Sequence, residues 1–357
     1  MGLNKVLKQY KGKKVFITGH TGFKGAWLSY LLDKQGAITR GYALEPYTNP
    51  SLYSTLKFSN NHSNVISDIN DYKKIKKEIK NFKPDYIFHL AAQPLVIESY
   101  NCPKYTFETN FNGTLNLLEV LKSYNLPITA VFITTDKVYE NKELNIPFSE
   151  EDKLGGEDPY SASKAASEIL IHSYTTSFFK HSLVKLASAR AGNVIGGGDW
   201  SDYRLVPDII KAEFENEELK IRNPIATRPW QHVLEPLYGY LKLASLLEKN
   251  PTKYSGSWNF GPNLNDIKTV GEIIKIAQGL EFNVSISEGD QAFKKESKFL
   301  ALDISRAKKQ LGFIPKWSSE KALRYTLEWY KNFYDGKPVN ELMEKDVINY
   351  NLPDERV

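Results

Sequence analysis

Residues 15–25 constrain the fold of this chain more than any other stretch, and they read VFITGHTGFKG. Three β-favouring residues run into a turn with glycines at positions 19, 22 and 25, and an apolar helical pattern follows. In such a turn one glycine takes positive φ, another lets the backbone approach a pyrophosphate, and the last lets helix and strand pack. The free N–H groups at the helix start attract the same anion. The segment therefore predicts a dinucleotide-binding unit, with a purely structural glycine turn as the alternative.

Short apolar runs alternate with helical patterns from Val15 to about Leu186, which is typical of an α/β fold with a doubly wound, Rossmann-type parallel sheet. We expect strands at residues 15–17, 37–44, 64–69, 84–92, 128–135 and 182–189, and long helices at 105–121 and 160–179. Beyond Ala191, loops and shorter elements predict a smaller α+β lobe, although residues 338–357 show little periodicity. We assign residues 1–189 to a dinucleotide-binding domain, to which 231–258 return, and residues 190–230 and 259–357 to a substrate-binding lobe.

Composition narrows the class of protein. The chain has 41% hydrophobic and 25% charged residues, as ordinary globular proteins do. It contains no apolar run of about 18 residues, so we expect no membrane span. Residues 1–14 are polar and carry no apolar signal core, which favours a cytoplasmic protein. The single cysteine, Cys102, excludes an internal disulfide and a cysteine metal cluster, and we expect no metal.

The net charge of +5 does not indicate nucleic-acid binding, because the lysines are spread among acidic residues. The densest run lies between residues 73 and 80. We interpret it as the exposed face of a helix whose apolar positions are Tyr72, Ile75, Ile79 and Phe82. A mild positive balance suits a small phosphorylated substrate instead.

Residues at the predicted strand ends complete a candidate cofactor site, because ligands of open α/β sheets bind beyond the carboxyl ends of the strands. Asp68 is a candidate partner for an adenine amino group, whereas His89 is interpreted as a core histidine. Asn110 either holds backbone or water in the site or belongs to a solvated helix face. An acid is expected roughly 20 residues after the glycines, but only Glu45 and Arg40 lie near that position, which leaves NAD versus NADP open. The cofactor-binding candidates are Gly19, His20, Gly22, Phe23, Lys24, Gly25, Asp68, Ile69, Leu90, Ala91, Ala92 and Asn110, with Tyr160 and Lys164.

Tyr160 and Lys164 lie four residues apart and therefore share one helix face. A phenol is a poor base because its unperturbed pKa is about 10, but a nearby ammonium and an oxidised nicotinamide lower that pKa. Tyr160 is thus a candidate to remove a proton from a sugar hydroxyl as hydride leaves the same carbon. Thr135 positions that hydroxyl, while Asp136 offers a carboxyl that donates a proton and Lys137 an amine that accepts one. The alternative for the last two is a surface turn with a local ion pair.

The glycine turn, Asn110 and Tyr160-x-x-x-Lys164 resemble the extended short-chain dehydrogenase/reductases that act on nucleotide sugars. Finer motifs resemble the 4,6-dehydratases of that family, in the branch that acts on CDP-glucose. They are residues 19–25 (GHTGFKG), 135–137 (TDK), 160–164 (YSASK), 191–200 (AGNVIGGGDW) and 228–233 (RPWQHV). The likeness extends from about residue 15 to residue 334. Sugar-nucleotide dehydratases at large carry glutamate where this chain has Lys137, and the lysine agrees with the CDP-glucose branch.

The resemblance implies NAD as cofactor and a loss of water in three linked steps. Tyr160, helped by Lys164 and Thr135, removes the C4 hydroxyl proton while hydride passes from C4 to NAD. The C4 ketone acidifies the C5 hydrogen, which Lys137 removes, and Asp136 protonates the departing C6 hydroxyl. Hydride then returns to C6, so the net reaction is that of a lyase. Lys137 must be neutral to act as a base, which requires burial or a cationic neighbour.

The resemblance also implies a substrate site and a dimer. His20 replaces a smaller residue in the glycine turn, and we expect it to crowd the pyrophosphate and loosen NAD. We expect a homodimer in which the helices beginning at Tyr105 and Tyr160 meet their copies. The substrate-binding candidates are Gln93, Asn193, Arg204 and Arg228, and the planar guanidinium of Arg228 suits a pyrophosphate.

Three alternatives remain open. The first is a dehydratase of another nucleotide sugar, such as a UDP-N-acetylhexosamine dehydratase, which also uses Asp-Lys. The second is a 4-epimerase, which needs no acid–base pair after Thr135. The third is a non-catalytic Rossmann protein that senses NAD and binds a partner. The base of the nucleotide is not determined by these motifs either.

Overall fold

A parallel sheet of seven strands forms the centre of the chain, in the order β11-β6-β5-β4-β1-β2-β3. The computed structural model describes residues 2–215, 217–221, 223–282, 284–288 and 299–353. The sheet strands are β1 (Lys14–Thr18), β2 (Ile38–Ala43), β3 (His62–Ile66), β4 (Tyr86–His89), β5 (Ile128–Ile133), β6 (Val184–Ala191) and β11 (Gly256–Phe260). The short strands are β7 (Val194–Ile195), β8 (Leu219–Ile221), β9 (Thr227–Arg228), β10 (Gln231–His232), β12 (Lys268–Thr269) and β13 (Ile286–Glu288).

Helices cover both faces of this sheet and build the second lobe. In the first half of the chain they are α1 (Leu3–Leu7), α2 (Phe23–Lys34), α3 (Leu52–Thr55), α4 (Tyr72–Phe82), α5 (Val96–Asn101), α6 (Pro103–Phe107), α7 (Gly113–Lys122) and α8 (Pro159–Tyr174). They continue with α9 (Leu205–Glu215), α10 (Leu234–Lys249), α11 (Pro251–Tyr254), α12 (Val270–Gly279), α13 (Ser319–Tyr334) and α14 (Val339–Asn351). One π-helical stretch, Glu108–Asn112, joins α6 to α7, and another, Thr175–Phe179, extends α8.

Successive residues of the central strands point to opposite faces of the sheet, so each strand contributes to two hydrophobic cores. On β1, Val15 and Ile17 belong to one core and Phe16 to the other; on β5, Val131 and Phe132 divide in the same way. A strand that is apolar at every position is stable only when both faces are covered. The predicted doubly wound α/β fold is confirmed.

Helix α10 returns the chain to the large sheet after helix α9 and the short strands β7 to β10. It packs against β5, β6 and β11, and β11 then adds to the sheet beside β6 in parallel register. The three remaining two-stranded sheets pair β7 with β10, β9 with β12, and β8 with β13. These short pairs form separate sheets and do not extend the large one.

Two expectations about local structure are wrong. The third strand occupies His62–Ile66 rather than 64–69, so Asp68 lies beyond its end. Residues 338–357 were expected to lack periodicity, but α14 covers Val339–Asn351 and buries Val339, Leu342, Met343 and Tyr350. The buried Asp346 interrupts the apolar stripe at its centre and hides the helical period. The last four residues of the tail lie outside the described residues.

The lysine-rich segment forms the exposed face of α4, as the pattern predicts. Ile75, Ile79 and Phe82 are buried, while Lys73 and Lys77 face solvent. In the described ranges, no helix combines the length and the apolar character needed to cross a bilayer.

Close backbone contacts in the glycine turn explain its sequence. Gly19 has φ +73°, and a Cβ there would lie 2.6 Å from the backbone nitrogen of Ala91. A Cβ at Gly25 would lie 2.1 Å from the carbonyl oxygen of Gly19. At Gly22, by contrast, the nearest atom to an added Cβ would be that same oxygen at 3.5 Å. Two of the glycines are therefore required by packing, and the third leaves room above the turn.

We predict that Gly25→Ala destabilises the ligand-free protein by about 2 kcal/mol or more, because the clash is with backbone and cannot be relieved by a rotamer change. The gain in helix propensity, about 1 kcal/mol at most, does not offset it. Gly22→Ala is the matched control and is expected to change stability by less than about 1 kcal/mol. Urea unfolding measures both, and equal losses would contradict this account of the turn.

Candidate active site

The candidate residues meet at the carboxyl edge of the sheet, where β1, β4 and β5 lie side by side. Thr18, the last residue of β1, holds the first two loops together. Its hydroxyl lies 2.8 Å from Nδ1 of His89 and accepts a hydrogen bond of 3.2 Å from the backbone N–H of Ala91. Its carbonyl accepts another, 3.1 Å long, from the N–H of Leu90. Strands β1 and β4 thereby present their loops at one level.

His89 is a core residue, as predicted. It is 3% exposed, and its Nε2 lies 3.2 Å from the hydroxyl of Thr114. Burial, and then the nearby Lys164, lower its pKa to about 3. The imidazole therefore stays neutral and serves as a hydrogen-bonding spacer between β4 and α7.

The start of α2 fits the pyrophosphate of a dinucleotide. No side chain caps this helix and its first turn carries no acidic residue. The first-turn N–H groups, which a helix leaves without intrahelical partners, thus stay available for an anion. Gly22 keeps the space above the turn clear of side-chain atoms. An anionic ligand at this point would also meet the positive end of the helix dipole.

Asp68 and Ile69 follow β3 as loop residues. The Asp68 carboxylate accepts a 2.8 Å bond from the N–H of Asn70, and its backbone carbonyl accepts one of 2.9 Å from the Tyr42 hydroxyl. Ile69 is buried beneath the start of α7, where a Cβ on Gly113 would approach it to 2.7 Å. The loop is therefore tied in place at the edge where an adenine would lie.

The two residues near the expected ribose position differ in their surroundings. Arg40 forms a 3.3 Å ion pair with Glu78 and lies 4.8 Å from the ring centre of Phe82. Glu45 is exposed in the loop that follows β2. Arg40 is thus engaged with α4, which reduces its availability for a ribose phosphate.

His20 does not lie where we expected it. Its ring is fully buried against β2, where a Cβ on Gly41 would come within 2.2 Å of it, and it packs edge-on against Tyr53 at 4.7 Å. Burial and the neighbouring His62 lower its pKa to about 3. The crowding therefore falls on β2 and the loop beyond it, rather than on the pyrophosphate turn.

Asn110 is 1% exposed, which excludes the solvated-face interpretation. Its side chain accepts a 2.9 Å bond from the N–H of Gln93 and donates to the carbonyl of Gln93 (3.1 Å) and to the hydroxyl of Ser163 (2.9 Å). It lies in the π-helical stretch, a feature that often occurs at functional sites. Asn110 thus fastens the loop after β4 to the helix that carries Tyr160.

Tyr160 stands in the first turn of α8, which Asp158 caps by accepting a 2.9 Å bond from the N–H of Ser161. Its phenol is 9% exposed and in hydrogen-bonding contact with Thr135. Burial raises the pKa of Tyr160 to about 12; Thr135 and Arg204 act in the opposite direction and Asp136 in the same one. The protein groups alone therefore hold the phenol in its protonated form.

Lys164 lies one turn beyond Tyr160 and is 6% exposed. Its amine donates a long bond of 3.4 Å to the carbonyl of Ile133 in β5. Burial, and then the neighbouring Lys24, lower its pKa to about 7, while Glu168 opposes them. The described groups therefore leave Tyr160 protonated by themselves, and the expected lowering of its pKa by an ammonium together with an oxidised nicotinamide stays a prediction.

Thr135, Asp136 and Lys137 form a tight turn directly after β5. The Thr135 hydroxyl donates to the Asp136 carboxylate (3.0 Å) and accepts from the N–H of Lys137 (3.3 Å). Asp136 is 2% exposed, and among the described residues its Oδ2 has no hydrogen-bond partner. Burial raises its pKa, against the nearby cations Lys137 and Arg228. The surface-turn alternative is excluded for Asp136, whereas Lys137 is half-buried.

Gly192 makes room for this carboxyl. A Cβ there would lie 2.2 Å from the Asp136 Oδ2 and 2.6 Å from the Pro229 ring. Gly192 belongs to the motif at residues 191–200, but the spacing of that motif does not predict its contact with Asp136. The two residues lie 56 positions apart in the sequence.

The four substrate candidates are placed differently. Arg228 is 2% exposed, donates 2.8 Å to the carbonyl of Thr227 and lies near Asp136. Arg204 forms a 2.7 Å ion pair with Asp199. Asn193 is half-buried, and its carbonyl accepts from the N–H of Gln231. Gln93 uses its amide on α6 and on its own loop, donating 2.9 Å to the hydroxyl of Thr106 and 3.1 Å to the carbonyl of Leu95, which argues against a direct substrate contact.

A cluster of cations was not apparent from the sequence. The Lys24 amine interacts electrostatically with Lys164, Arg204, Asp136 and Asp199, and burial followed by Arg204 lowers its pKa to about 8. Sequence reasoning assigned Lys24 to the glycine turn only. The position of Lys24 in the first turn of α2 could have indicated this cluster, because the helix dipole disfavours a cation there.

Within the described ranges, no group of three His, Cys, Asp or Glu side chains is arranged to hold a metal ion. The groups that meet at this edge are a phenol, the amines of Lys24, Lys137 and Lys164, and a buried carboxyl, beside the uncapped start of α2. Such a set can move protons at several atoms of one bound molecule.

Comparisons with known proteins place this arrangement in a family. The chain is 42% identical over 348 residues to the CDP-glucose 4,6-dehydratase of Salmonella typhimurium, covering 96% of this chain and 97% of that protein. Among solved structures, an epimerase from Methanothermobacter thermautotrophicus superposes with a TM-score of 0.81 at 22% identity, over 96% of this chain and 97% of the other. A dTDP-glucose 4,6-dehydratase from Bacillus anthracis, solved in complex with NAD, gives 0.74 at 21%, over 90% and 98%.

The two solved structures confirm the fold. Their sequence identities of 22% and 21% are too low to support a statement about function. Residues 16–326 match the family model described as GDP-mannose 4,6 dehydratase. The predicted resemblance to nucleotide-sugar dehydratases among the short-chain dehydrogenase/reductases is confirmed, and the chain belongs to the GDP-mannose 4,6 dehydratase family.

Proposed function

We propose that this chain is an NAD-dependent CDP-glucose 4,6-dehydratase, which converts CDP-glucose into CDP-4-keto-6-deoxyglucose and water. The observation that carries the proposal is the buried carboxyl of Asp136, adjacent to Lys137 and near the phenol of Tyr160. A simple oxidation or an epimerisation has no use for such a pair. The 42% identity to the Salmonella enzyme supports CDP-glucose as the substrate.

NAD would be held by the glycine turn, the uncapped start of α2 and the loops after β3 and β4. When bound, its nicotinamide supplies temporary storage of one hydride. Tyr160 removes the proton of the C4 hydroxyl, and Thr135 holds that oxygen through the hydroxyl that already contacts the phenol. Lys164, when its amine is protonated, stabilises the phenolate form in which Tyr160 accepts that proton. The phenol, raised by burial to a pKa of about 12, becomes a competent base only with additional positive charge nearby.

Elimination of water falls to the turn after β5. Lys137 takes the C5 proton, which the neighbouring C4 ketone has made acidic. Asp136 gives a proton to the departing C6 hydroxyl, and its raised pKa keeps that proton available. Because the two residues are consecutive on a tight turn, one acts as acid and the other as base on adjacent carbons of the same sugar.

The cations around the site suit a molecule with two phosphates. Arg228 and Arg204 lie on the second-lobe side of the site, and Lys24 lies at the start of α2. Their charges favour a nucleotide diphosphate, and a guanidinium can bind phosphate oxygens in a bidentate manner. We propose that residues 190–230 and 259–357 hold this part of the substrate, and that 1–189 with 231–258 hold the cofactor.

The experiment that tests the function is turnover of a panel of nucleotide hexoses by the purified protein. CDP-glucose, UDP-glucose and dTDP-glucose are compared through the alkaline absorbance of the 4-keto-6-deoxy product. Preference for CDP-glucose supports the proposal. Turnover of another nucleotide sugar, a 4-epimer as product, or NAD binding without turnover would favour the three alternatives in that order.

We further propose that the enzyme works in the cytoplasm, where nucleotide sugars and NAD are formed, and that its product enters deoxysugar synthesis for a lipopolysaccharide. A homodimer is also part of the proposal. Large apolar side chains stand exposed on two helices that pack together, with Tyr105 and Phe107 on α6 and Ile169 on α8 being 41%, 38% and 59% exposed. Contiguous exposed apolar groups of this kind mark interaction sites.

For the elimination step, we predict that Asp136→Asn and Lys137→Met each lower kcat about 100-fold, since a positioned acid or base contributes that much or more. Reduced cofactor should accumulate on mixing with CDP-glucose, because oxidation at C4 precedes the loss of water. Glu140→Gln, which removes a nearby half-exposed carboxylate, is the matched control and should retain kcat. A wild-type rate for Asp136→Asn would remove this residue from the mechanism.

For pH dependence, we predict that the unfolding free energy of the ligand-free protein rises between about pH 7 and pH 10 through Lys164. Its folded pKa is about 7, whereas an unfolded lysine titrates near 10.4. In that interval the unfolded chain binds a proton that the folded chain lacks, so raising the pH favours folding. Urea unfolding should show a shallower rise for Lys164→Met, and identical pH profiles would contradict the burial of this amine.

For the dimer, we predict that Ile169→Asp converts a two-chain particle into a single chain in sedimentation, because the charge would be buried unpaired at the interface. Leu126→Asp is the control, since Leu126 is 44% exposed in the loop before β5. A wild-type mass of one chain would exclude the dimer outright.

A further inference from the structure

We infer that the buried ion pair between Glu168 and Arg190 positions the acid–base turn against the helix that carries Tyr160 and Lys164. The inference rests on the proposed function for the roles of that turn. Glu168 and Arg190 are 2% and 3% exposed, and their carboxylate and guanidinium lie 2.8 Å apart. Neither residue touches the proposed reacting atoms, so both are positioning residues.

Glu168 holds the strand side of the turn. Its Oε1 accepts a 2.6 Å bond from the hydroxyl of Thr134, the residue directly before Thr135. Its Oε2 accepts from Ser188 in β6 at 2.8 Å, in addition to the bond from Arg190. One carboxylate thereby connects α8 to β5 and β6, and both its oxygens are used.

Arg190 holds the other side of the turn. It donates a 2.8 Å bond to the hydroxyl of Tyr139, which directly follows the turn at 136–138. The guanidinium also lies 5.0 Å from the centre of the same ring. Tyr139 in turn donates 2.7 Å to Asn259 at the end of β11. Hydrogen bonds thus hold the turn at both ends, since Glu168 binds Thr134 and Arg190 binds Tyr139.

The register of α8 completes the geometry. Glu168 lies four residues after Lys164 and eight after Tyr160, so all three share one face of the helix. Any axial shift of α8 relative to β5 would strain the Thr134 bond and would move the phenol relative to Asp136. The ion pair therefore links the group that removes the C4 proton to the groups that remove water.

A purely structural role does not require this chemistry. Two buried charges bring a large desolvation cost, and apolar residues of similar size often stabilise a core equally well. The Nε of Arg190 has no hydrogen-bond partner among the described residues, so part of this cost is not compensated, and such a pair can be retained because it specifies one arrangement over its neighbours. Here the arrangement specified is the distance between two sets of catalytic groups on different elements.

The test removes the links at either end of the turn and leaves the ion pair itself intact. Thr134→Val deletes the bond to Glu168, and Tyr139→Phe deletes the bonds of its hydroxyl to Arg190 and Asn259, each with little change in volume. Ser188→Ala is the matched control, since it deletes a bond of the same kind to the same carboxylate from β6, which does not carry the turn. Thr134→Ser restores the hydroxyl and serves as the rescue. Each protein is assayed for kcat, KM, reduced cofactor on mixing with substrate, and unfolding free energy.

Both link variants are expected to lose about tenfold or more in kcat at unchanged KM, because small misplacements of catalytic groups are costly. Reduced cofactor should accumulate in them, since C4 oxidation outruns elimination. Ser188→Ala should keep kcat within about twofold despite a similar loss of stability, and Thr134→Ser should recover the wild-type rate. If one of the two link variants does not fold, the kcat of the other variant decides the test.

The inference is overturned if both link variants keep wild-type kcat, or if Ser188→Ala loses as much activity as they do. It is equally overturned if kcat falls without accumulation of reduced cofactor, because the turn would then not be the affected part. The proposed function is judged separately, by wild-type turnover of CDP-glucose. The link comparison is carried out on whichever nucleotide hexose the wild type accepts.

Discussion

Desolvation of ionisable groups is the constraint on which this site depends. The phenol of Tyr160, the amines of Lys24 and Lys164 and the carboxyl of Asp136 lie together at the carboxyl edge of the sheet. Burial is the largest influence on the pKa of each of them. It raises the pKa of Tyr160 and Asp136 and lowers that of Lys164 and Lys24. Burial thus drives all four groups towards their neutral forms, and in Asp136 it keeps a proton on the carboxyl that can be given to a bound sugar.

The sheet allows this burial because all its strands end at one edge. Backbone contacts too close for any side chain, at Gly19 and Gly25, set the height of the turn after β1 relative to the loop after β4. Gly192 does the same beside Asp136. These contacts explain why the motifs contain glycine at these positions, even where the backbone angles would allow another residue, as at Gly25 and Gly192. Polar groups such as Thr18 and Asn110 then fasten neighbouring loops, so that the catalytic side chains need not supply rigidity themselves.

Charged groups behind the site have a different task from those within it. The ion pair of Glu168 and Arg190 is fully enclosed and well hydrogen-bonded, and the proposed catalytic turn lies between its two ends. Arg204 forms a second pair with Asp199. A family that performs several reactions on one fold can change the residue at position 137 while keeping such a framework, because the framework sets distances and the turn sets chemistry.

The sequence by itself determined the features that depend on local spacing. The glycine turn, the shared face of Tyr160 and Lys164, and the succession of strands and helices follow from periods of two and 3.6 residues and from steric rules that act within a few positions. The family resemblance identified Asp136 and Lys137 by the same kind of local pattern. The doubly wound fold could be predicted for that reason.

Only the tertiary structure decided what depends on contacts between distant segments. It packed His20 against β2, buried the phenol of Tyr160 and so raised its pKa, and joined Arg190 to Glu168 across 22 positions. It also folded residues 339–351 into a helix whose apolar stripe is broken by a buried aspartate. Desolvation and long-range packing have no signature in local spacing, because they are properties of what the rest of the chain places around a residue.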